Sequence, residues 1–427
     1  MRRVMAWVGR FAASLLFRRV EVAGVERYPR GRPVLLVANH FNGFVDPILI
    51  TAALGRTPRF IAKAGLRKVP VGGLLLRSLG VVFVRRQTDT GGAVGNDDAF
   101  AECHAALAKG DVVAIFPEGT THDRPRLDPI KTGAARIALG ARAAGAEDLA
   151  IVPVGLTFPD KVALRSSALV QFGLPIDVDV ANPGGAGPGD IEVVRQLTGV
   201  IDRGLRAVSP DYPDVETALA LEQAAQVALS SPSDPDPSLE ERHELARRLG
   251  RSAPDEQAAV RREIGRYATI LRGLHLSDAD VITPTSPARL VRSALGIAVL
   301  VVALGGVVAA TALINVWPAG LVALVSLLVK TPVSKGTVRV LVGVLAFPTA
   351  WITAGVLTAD GAPRVTLVVV TAAVGALAAI WLVERAMALT QMLLRWQAQR
   401  ERIDTVTLAV DVRAEVVDTV RAVAGRS

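Results

Sequence analysis

The chain has 427 residues, 51% of them hydrophobic, and a formal net charge of +8 at neutral pH. This length predicts at least two structural units, and the apolar excess that begins at Ala294 predicts membrane spans. Aromatic residues make up only 4%, so the positive charge favours a membrane surface or a phosphorylated substrate, and no nucleic acid partner is expected. The lone Cys103 excludes an intrachain disulfide, and no Cys/His cluster has zinc-site spacing, so neither a metal nor a cofactor is expected.

The first 19 residues have the pattern of an amphipathic helix. Arg3, Arg10, Ser14 and Arg18 follow one another at spacings of seven, four and four residues, which is helical periodicity. Arginines outnumber glutamates seven to two in residues 1–30, a balance that favours an anionic membrane surface. We therefore predict an interfacial helix at residues 1–19. The alternatives are a helix packed on the domain itself and a signal peptide, which Arg10 disfavours because it interrupts a short apolar core.

Residues 20–208 alternate short apolar runs with stretches of helical periodicity. This alternation is typical of an α/β fold, in which a mostly parallel sheet is covered by helices. The predicted strands are Val34–Val37, Arg59–Ala62, Val81–Val84, Val112–Phe116, Leu149–Val154 and Leu169–Phe172. The predicted helices are Asp46–Leu54, Val71–Leu79, Asp98–Lys109 and Thr132–Ala144.

Polar residues follow two of these apolar runs. His40 and Asp46 come shortly after Pro33–Val37, and a Pro-Glu-Gly-Thr turn follows Val112–Phe116, with His122 close behind. Because open α/β sheets place their chemistry at the carboxyl ends of strands, we expect both segments to form one site. A histidine held by a nearby carboxylate is the usual general base for activating a hydroxyl.

Four short blocks of the sequence follow one another in a known order. They are Asn39-His40 with Asp46, Phe83-Val84-Arg85-Arg86, Phe116-Pro117-Glu118-Gly119-Thr120, and Val152-Pro153-Val154. In order and interval they resemble the blocks of the glycerophospholipid acyltransferases, the family of lysophosphatidic acid and glycerol-3-phosphate acyltransferases, over residues 20–208. The resemblance implies transfer of a fatty acyl group from a thioester of coenzyme A (acyl-CoA) or acyl carrier protein. The implied acceptor is a hydroxyl of a glycerol phosphate or lysophospholipid, and the implied fold is a membrane-associated α/β domain.

One interval departs from the usual family pattern. Five residues separate His40 from Asp46 where four are usual, and within one helix such a pair would lie on different faces. The turn dipeptide Asn42-Gly43 can absorb the extra residue before the helix begins, so that the pair still meets. The longer interval resembles fungal-type glycerol-3-phosphate/dihydroxyacetone-phosphate acyltransferases, as does Ser209-Pro210-Asp211-Tyr212 further on. Both features favour glycerol phosphate as the acceptor.

The resemblance implies catalytic roles for two residues. His40 would be the general base that takes the proton of the acceptor hydroxyl, and Asp46 would fix the imidazole tautomer and stabilise the imidazolium. No covalent acyl-enzyme is implied, since the chain has no serine in a G-x-S-x-G elbow. An isolated histidine would more often be a capping or core residue, but the other blocks favour catalysis here.

The resemblance also implies a set of residues that hold the acceptor. Arg86, at the end of a predicted strand, can hold phosphate oxygens bidentately. In the next block, Gly119 permits close backbone approach, Thr120 belongs to the same turn, and Glu118 can accept hydrogen bonds from acceptor hydroxyls or orient an arginine. Lys131 is a further phosphate candidate. The alternatives are an ordinary turn for the block and a solvated surface charge for the lysine.

Residues 209–288 are predicted to form a linker and a soluble helical hairpin. Ser231–Pro237 is rich in proline and is the linker, Ser238-Leu239-Glu240-Glu241 is a capping box, and a longer helix runs over Pro254–Leu274. No residue set in this region suggests chemistry.

Residues 289–385 are predicted to be a transmembrane region of about four segments. The uncharged stretch Ala294–Val329 is too long for one crossing of a bilayer core of roughly 30 Å, and Asn315–Gly320 offers a turn in its middle. The further spans are Val340–Thr358 and Val365–Val383.

Basic residues set the predicted orientation of these spans. Lys330, Lys335 and Arg339 lie between the second and third segments, and several arginines follow the last. By the positive-inside rule, the chain is an integral protein of the cell membrane with its catalytic domain and both termini in the cytoplasm. Residues 386–427 are then a cytosolic tail that ends in an amphipathic helix.

Two other functions are compatible with parts of the sequence. The altered interval between His40 and Asp46 is compatible with a catalytically inactive lipid-binding or scaffolding membrane protein. The C-terminal spans are compatible with a transporter for the product, but the absence of charged residues within them disfavours a coupled transport path. Anchoring in the membrane is therefore the expected role of the spans.

Overall fold

The chain forms two compact units, Met1–Ala218 and Leu219–Ser427. The structure, a computed structural model, describes residues 2–68, 77, 80–84, 96–160, 163, 165–182 and 184–426. The strands of the first unit are β1 (Phe17–Ala23), β2 (Val34–Ala38), β3 (Arg59–Lys63), β4 (Val82–Val84), β5 (Val112–Ile115), β6 (Ala150–Thr157), β7 (Ser166–Phe172) and β8 (Ile176–Asp177). Its helices are α1 (Arg2–Leu16), α2 (Val45–Leu54), α3 (Asp97–Ala108), α4 (Gly133–Ala143), α5 (Val178–Ala181), α6 (Ile191–Arg206) and the first residues of α7 (Val215–Leu229).

The sheet of the first unit is mostly parallel. Its strand order is β1-β7-β6-β2-β5-β3-β4, with β8 beside β6. The pairs β1–β7, β2–β5, β2–β6, β3–β4 and β3–β5 are parallel, while β6 pairs antiparallel with β7 and β8. The predicted fold class, a mostly parallel sheet covered by helices, is confirmed.

The central strand β2 is buried on both faces, which explains its continuous apolar run. Leu35 packs in the core with Val113 of β5, Ile137 of α4 and Leu197 of α6, and Leu36 on the opposite face is also fully buried. The carboxyl end of β2 therefore lies in the middle of the sheet, where its following loop meets the loop after β5.

The sequence did not predict β1 or β8. In β1 the charged residues Arg18, Arg19 and Glu21 interrupt the apolar pattern, which is typical of an edge strand, and β1 does lie at an edge of the sheet. The predicted helix Val71–Leu79 lies outside the described residues except for Arg77.

The second unit is helical. It continues α7 and contains α8 (Leu239–Arg251), α9 (Pro254–Leu274), α10 (Asp278–Ile282), α11 (Pro287–Leu328), α12 (Pro332–Thr358), α13 (Ala362–Glu401) and α14 (Ile403–Ala424). As the capping box predicted, the Ser238 hydroxyl accepts a hydrogen bond from the Glu241 N–H at the start of α8, at 3.1 Å.

A buried network joins α14 to the other polar helices of the second unit. The guanidinium of Arg413 donates to the Asp278 carboxylate at 2.9 Å and to the carbonyls of Val227 and Ser230 at 2.8 Å. The Tyr267 hydroxyl donates to the same carboxylate at 2.7 Å, and burial raises the pKa of Tyr267. The C-terminal helix is thus bonded directly to α10 and the end of α7, and it shares the Asp278 carboxylate with Tyr267 of α9.

Among the described residues, three helices are long and apolar enough to cross a membrane, over Pro287–Leu328, Lys335–Thr358 and Ala362–Glu401. The turn predicted at Asn315–Gly320 is wrong, because α11 continues through it. The residue types of Asn315–Gly320 favour a turn where the backbone is exposed to water. In apolar surroundings an open turn would leave backbone groups unsatisfied, and an internal proline such as Pro318 is tolerated within a helix.

Contacts among the three apolar helices show that at least one of them bends. The side chain of Asn315 in α11 accepts from the Trp351 indole of α12 at 2.8 Å and donates to the Ala372 carbonyl of α13 at 3.0 Å. Further contacts make every pair antiparallel: Ser326–Arg339, Ser293–Met392, and the close approach of Gly355 to Val365. Three straight helices cannot all pair antiparallel, and the internal Pro318 and Pro348 are the positions where such helices kink.

The last turns of α13 return to the start of α11. The Thr285 N–H donates to the Gln399 side chain at 3.2 Å, and Arg395 forms an ion pair with Asp280 at 3.3 Å. The two ends of the apolar region therefore lie together in this unit, although it has three long helices and not about four segments.

Candidate active site

His40 and Asp46 lie between the end of β2 and the first turn of α2. The Nδ1 atom of His40 is 2.8 Å from Oδ2 of Asp46, which is fully buried. The same oxygen accepts the N–H of Asn42 at 2.8 Å. The turn Asn42-Gly43, with Gly43 at φ 42°, absorbs the extra residue before α2 begins at Val45. The structure therefore brings the pair together.

The surroundings of His40 favour one tautomer. A carboxylate at Nδ1 favours the proton on that nitrogen, which leaves Nε2 as the proton acceptor. The ring stacks on Phe116, with centroids 4.0 Å apart and planes within 17°. The side chain of His40 is 14% exposed, so the imidazole is held on one side and open on the other.

Glu118 is a buried carboxylate that joins three segments. Its Oε1 accepts the backbone N–H of His40 at 2.8 Å. Its Oε2 accepts the N–H of Asp128 at 2.8 Å and lies 2.5 Å from Nε2 of His122. Since both oxygens are engaged inside the protein, the geometry favours positioning of the His40 backbone, and the contact with an acceptor hydroxyl or an arginine stays a prediction for Glu118.

Gly119 and Lys131 lie side by side next to Glu118. Gly119 has φ 73°, and a Cβ at this position would lie 2.7 Å from the ammonium nitrogen of Lys131. The N–H of Lys131 donates to the carbonyl of Pro117 at 2.9 Å, which holds the two segments together. Thr120 and Lys131 are exposed. The structure thus brings these three predicted residues to the same turn.

The predicted phosphate ligand Arg86 lies outside the described residues. The strand that leads to it, β4, pairs parallel with β3, which pairs parallel with β5. The carboxyl end of β4 therefore lies at the same edge of the sheet as the loop that carries His40. The role of Arg86 stays a prediction.

Glu118, His122 and Asp128 offer three ligand atoms within 4.8 Å of one another. Carboxylate and imidazole groups are common metal ligands. Here, however, the Glu118 oxygens already accept hydrogen bonds from two backbone N–H groups and the imidazole. These internal bonds account for the arrangement of the cluster without a metal ion.

Three residues that shape this site had no role predicted from the sequence. Phe116 stacks on His40, and Asp128 reaches Glu118 from a later loop. The buried amide of Asn39 bonds both the N–H and the carbonyl of Leu156, at 2.7 and 2.9 Å, so that it joins the ends of β2 and β6. An aromatic or amide side chain directly after a buried strand was the available signal for Phe116 and Asn39, while Asp128 carried none.

Comparison with known proteins identifies the family of this site. Residues 19–157 match the profile of a family described as Acyltransferase. A lyso-ornithine lipid O-acyltransferase of Rhizobium meliloti is 35% identical over 204 residues, 48% of this chain and 63% of that protein. The enzyme of the same name from Brucella abortus is 31% identical over 206 residues, 48% of this chain and 69% of that protein.

A shorter match covers less of both chains. Glycerol-3-phosphate O-acyltransferase 2 of Saccharomyces cerevisiae is 36% identical over 135 residues, 31% of this chain and 18% of that protein. The chain thus spans 63% of the Rhizobium relative and less than a fifth of the yeast one. Since the profile covers the strands and loops that carry His40, Asp46 and Glu118, and the Brucella relative is matched over most of its length, the chain belongs to the acyltransferase family.

Proposed function

We propose that the protein is a membrane-bound O-acyltransferase of phospholipid synthesis. It moves a fatty acyl group from an acyl thioester to a hydroxyl of glycerol 3-phosphate or 1-acylglycerol 3-phosphate. The observation that carries this proposal is the 2.8 Å contact between His40 and the buried Asp46 at the carboxyl end of β2. A histidine oriented by a buried carboxylate is the arrangement that activates a hydroxyl.

The reaction needs one base and no covalent acyl-enzyme. Nε2 of His40 takes the proton of the acceptor hydroxyl as its oxygen attacks the thioester carbonyl. The tetrahedral intermediate then expels the thiolate, and the imidazolium returns its proton to the leaving sulfur. Asp46 stabilises the imidazolium in between, and Glu118 holds the backbone of His40 in place. Such a general base contributes about 10²–10⁴-fold to the rate.

The acceptor phosphate calls for cationic and backbone donors. Arg86 can hold phosphate oxygens bidentately, and Lys131, which lies against Gly119, supplies a second cation next to the Glu118 turn. Thr120 can donate from its exposed hydroxyl. The donor is the thioester of coenzyme A or acyl carrier protein, which is already activated, so no cofactor is required.

Helix α1 supports a location at the membrane surface. Trp7 and Phe11 are 68% and 43% exposed and stack with centroids 6.1 Å apart. Helix α1 packs against α2 through Gly9, next to Thr51, and through Arg10, which donates to the Ala52 carbonyl at 3.2 Å. Because α2 carries Asp46, a bilayer that takes up the apolar face of α1 lies close to the site.

We place the protein in the cell membrane, with the acyltransferase unit and both termini in the cytoplasm. The three long apolar helices support membrane insertion. The basic residues around Lys335 and after Arg385 support the cytoplasmic assignment by the positive-inside rule. Acyl thioesters made in the cytoplasm then reach the site directly.

A second acceptor is supported by the relatives themselves. The two proteins at 35% and 31% identity are named as lyso-ornithine lipid O-acyltransferases. The base and the thioester chemistry would be the same, and only the acceptor would differ. Lyso-ornithine lipid is therefore the alternative to a glycerol phosphate as the hydroxyl acceptor.

Release of free thiol tests the proposal. Detergent-purified protein is given acyl-CoA, or acyl carrier protein thioester, with glycerol 3-phosphate, 1-acylglycerol 3-phosphate or lyso-ornithine lipid supplied separately. We expect acceptor-dependent thiol release that His40→Ala removes and His275→Asn, a change at an exposed helix end of the second unit, leaves intact. No release with any donor and acceptor would favour the inactive lipid-binding scaffold.

A further inference from the structure

Three exposed arginines lie where the apolar parts of α11 and α13 end. We call Arg289 and Arg292 of α11 and Arg385 of α13 the arginine band. Each is exposed, and none of the three side chains has a hydrogen bond or ion pair among the described residues. Nearby arginines differ: Arg395 pairs with Asp280 at 3.3 Å, and Arg402 donates to the Gly273 carbonyl at 2.7 Å.

The pairing of α11 with α13 determines how far apart the arginines of the band lie along the helix axes. Ser293 of α11 contacts Met392 of α13 and Asn315 contacts Ala372, so the two helices run antiparallel. Arg385 lies seven residues before Met392, so it is level with a position about seven residues beyond Ser293. Arg292 and Arg385 are then separated by roughly 12 Å along the helix axes at 1.5 Å per residue.

The layer between these arginines is apolar and exposed. Leu295 and Val299 of α11 are 62% and 67% exposed, and Met387 of α13 is 52% exposed. The acidic residue of this layer, Glu384, is partly buried and has interactions of its own. A thin layer that mixes exposed apolar side chains with uncompensated cations matches the interface of a bilayer, where acyl chains meet phosphates.

We propose that the arginine band binds the headgroups of anionic phospholipids. The guanidinium groups donate to the lipid phosphate in the bidentate geometry that arginine favours. The apolar side chains beside them contact the upper part of the acyl chains, which distinguishes a lipid from a free phosphate ion. Because the band draws on both helices, one lipid layer would hold α11 to α13 at their polar ends. This proposal concerns the second unit and is independent of the acyltransferase activity.

Thermal unfolding of the full chain in detergent tests the band. The probes are short-chain phosphatidylglycerol, phosphatidylcholine of the same chain length, and inorganic phosphate. We expect phosphatidylglycerol to raise Tm at lower concentration than phosphatidylcholine, and inorganic phosphate to have no such effect. Each anchoring arginine contributes about fivefold to binding at an anionic surface, so R292Q/R385Q should raise the half-maximal phosphatidylglycerol concentration about 25-fold.

A matched variant makes the test specific for position. R251Q/R421Q removes the same charge from exposed residues of the same unit outside the band and should leave the phosphatidylglycerol response unchanged. If R292Q/R385Q does not fold, R289Q against R289K carries the test, with about fivefold weakening expected only in the former. The proposal is overturned if both lipids act equally on the wild type, if R251Q/R421Q weakens the response as much, or if inorganic phosphate reproduces it.

Discussion

Both units bury a carboxylate, but they satisfy it with different partners. In the first unit, Asp46 accepts hydrogen bonds from the His40 ring and the Asn42 N–H. In the second unit, Asp278 accepts from the Tyr267 hydroxyl and the Arg413 guanidinium. Histidine titrates near neutral pH and can pass on a proton, whereas the arginine and the buried tyrosine stay protonated.

This difference distinguishes the pair of His40 and Asp46, which can take part in proton transfer, from the pair of Arg413 and Asp278, which only stabilises the fold. The imidazole of His40 keeps a nitrogen for a substrate, and its side chain is 14% exposed. Arg413 has no free donor of this kind, because it also donates to the carbonyls of Val227, in the last turn of α7, and Ser230, directly after it. A buried acid is therefore evidence of catalysis only when its partner can still exchange a proton.

The largest effect is expected for Asp46→Asn. The amide cannot stabilise the imidazolium and favours the wrong tautomer of His40, so kcat should fall about 10³-fold while the protein stays folded. Asp278→Asn is the matched change in the second unit, and it should lower Tm without lowering kcat. Initial rates of thiol release and thermal unfolding of both variants make the comparison. Full activity in Asp46→Asn would contradict the assigned role of the pair.

The sequence predicted the parts of this contrast that depend on local chemistry. Continuous apolar runs predicted β2 and β5, because strands buried on both faces need no alternation. The dipeptide Asn42-Gly43 predicted the turn that lets His40 reach Asp46. The Pro-Glu-Gly-Thr sequence predicted a turn at Gly119, where the structure shows φ 73°.

The features that the sequence did not predict depend on tertiary contacts, which the spacing of residues along the chain does not encode. Glu118 was predicted to contact an acceptor hydroxyl or orient an arginine, and no spacing rule showed that it also bonds the backbone of residues 78 positions before and 10 positions after it. Asn315–Gly320 was expected to be a turn, since no local signal shows that the side chain of Asn315 bonds two other helices. The structure pairs each of these polar groups with distant parts of the chain.

Arg413→Ala should produce the largest loss of stability. It leaves the Asp278 carboxylate, whose residue is 8% exposed, without its cation, and breaking such a buried pair costs about 3 kcal/mol. Four of the five tryptophans lie in the second unit, so fluorescence follows its unfolding. The double variant R413A/D278A removes both charges and should be less destabilised than the sum of the single variants. An additive double variant would show that the two charges do not interact.

Glu118→Gln should affect kcat and leave the KM for the acceptor nearly unchanged. The amide turns one acceptor into a donor that faces His40 N–H or His122, so the base loses its alignment. We expect a loss of about 10–100-fold in kcat, the size of one or two lost hydrogen bonds to a charged group. Glu147→Gln makes the same change at an exposed site and should have no effect. A rise in KM with kcat unchanged would instead favour direct contact between Glu118 and the acceptor.

The smallest expected effect is a change in the labelling rate of Cys103, the chain's single cysteine, which reports unfolding of the first unit. Burial raises the pKa of this thiol from 9.0 to about 12. The unfolded thiol ionises above pH 9 and the folded one does not, so stability falls as pH rises from about 9 toward 12. Labelling with iodoacetamide, followed by mass spectrometry, should therefore keep accelerating about tenfold per pH unit above pH 9, where an exposed thiol levels off. Arg413→Ala should leave these rates unchanged if the two units unfold separately, and faster labelling in that variant would show that the second unit stabilises the first.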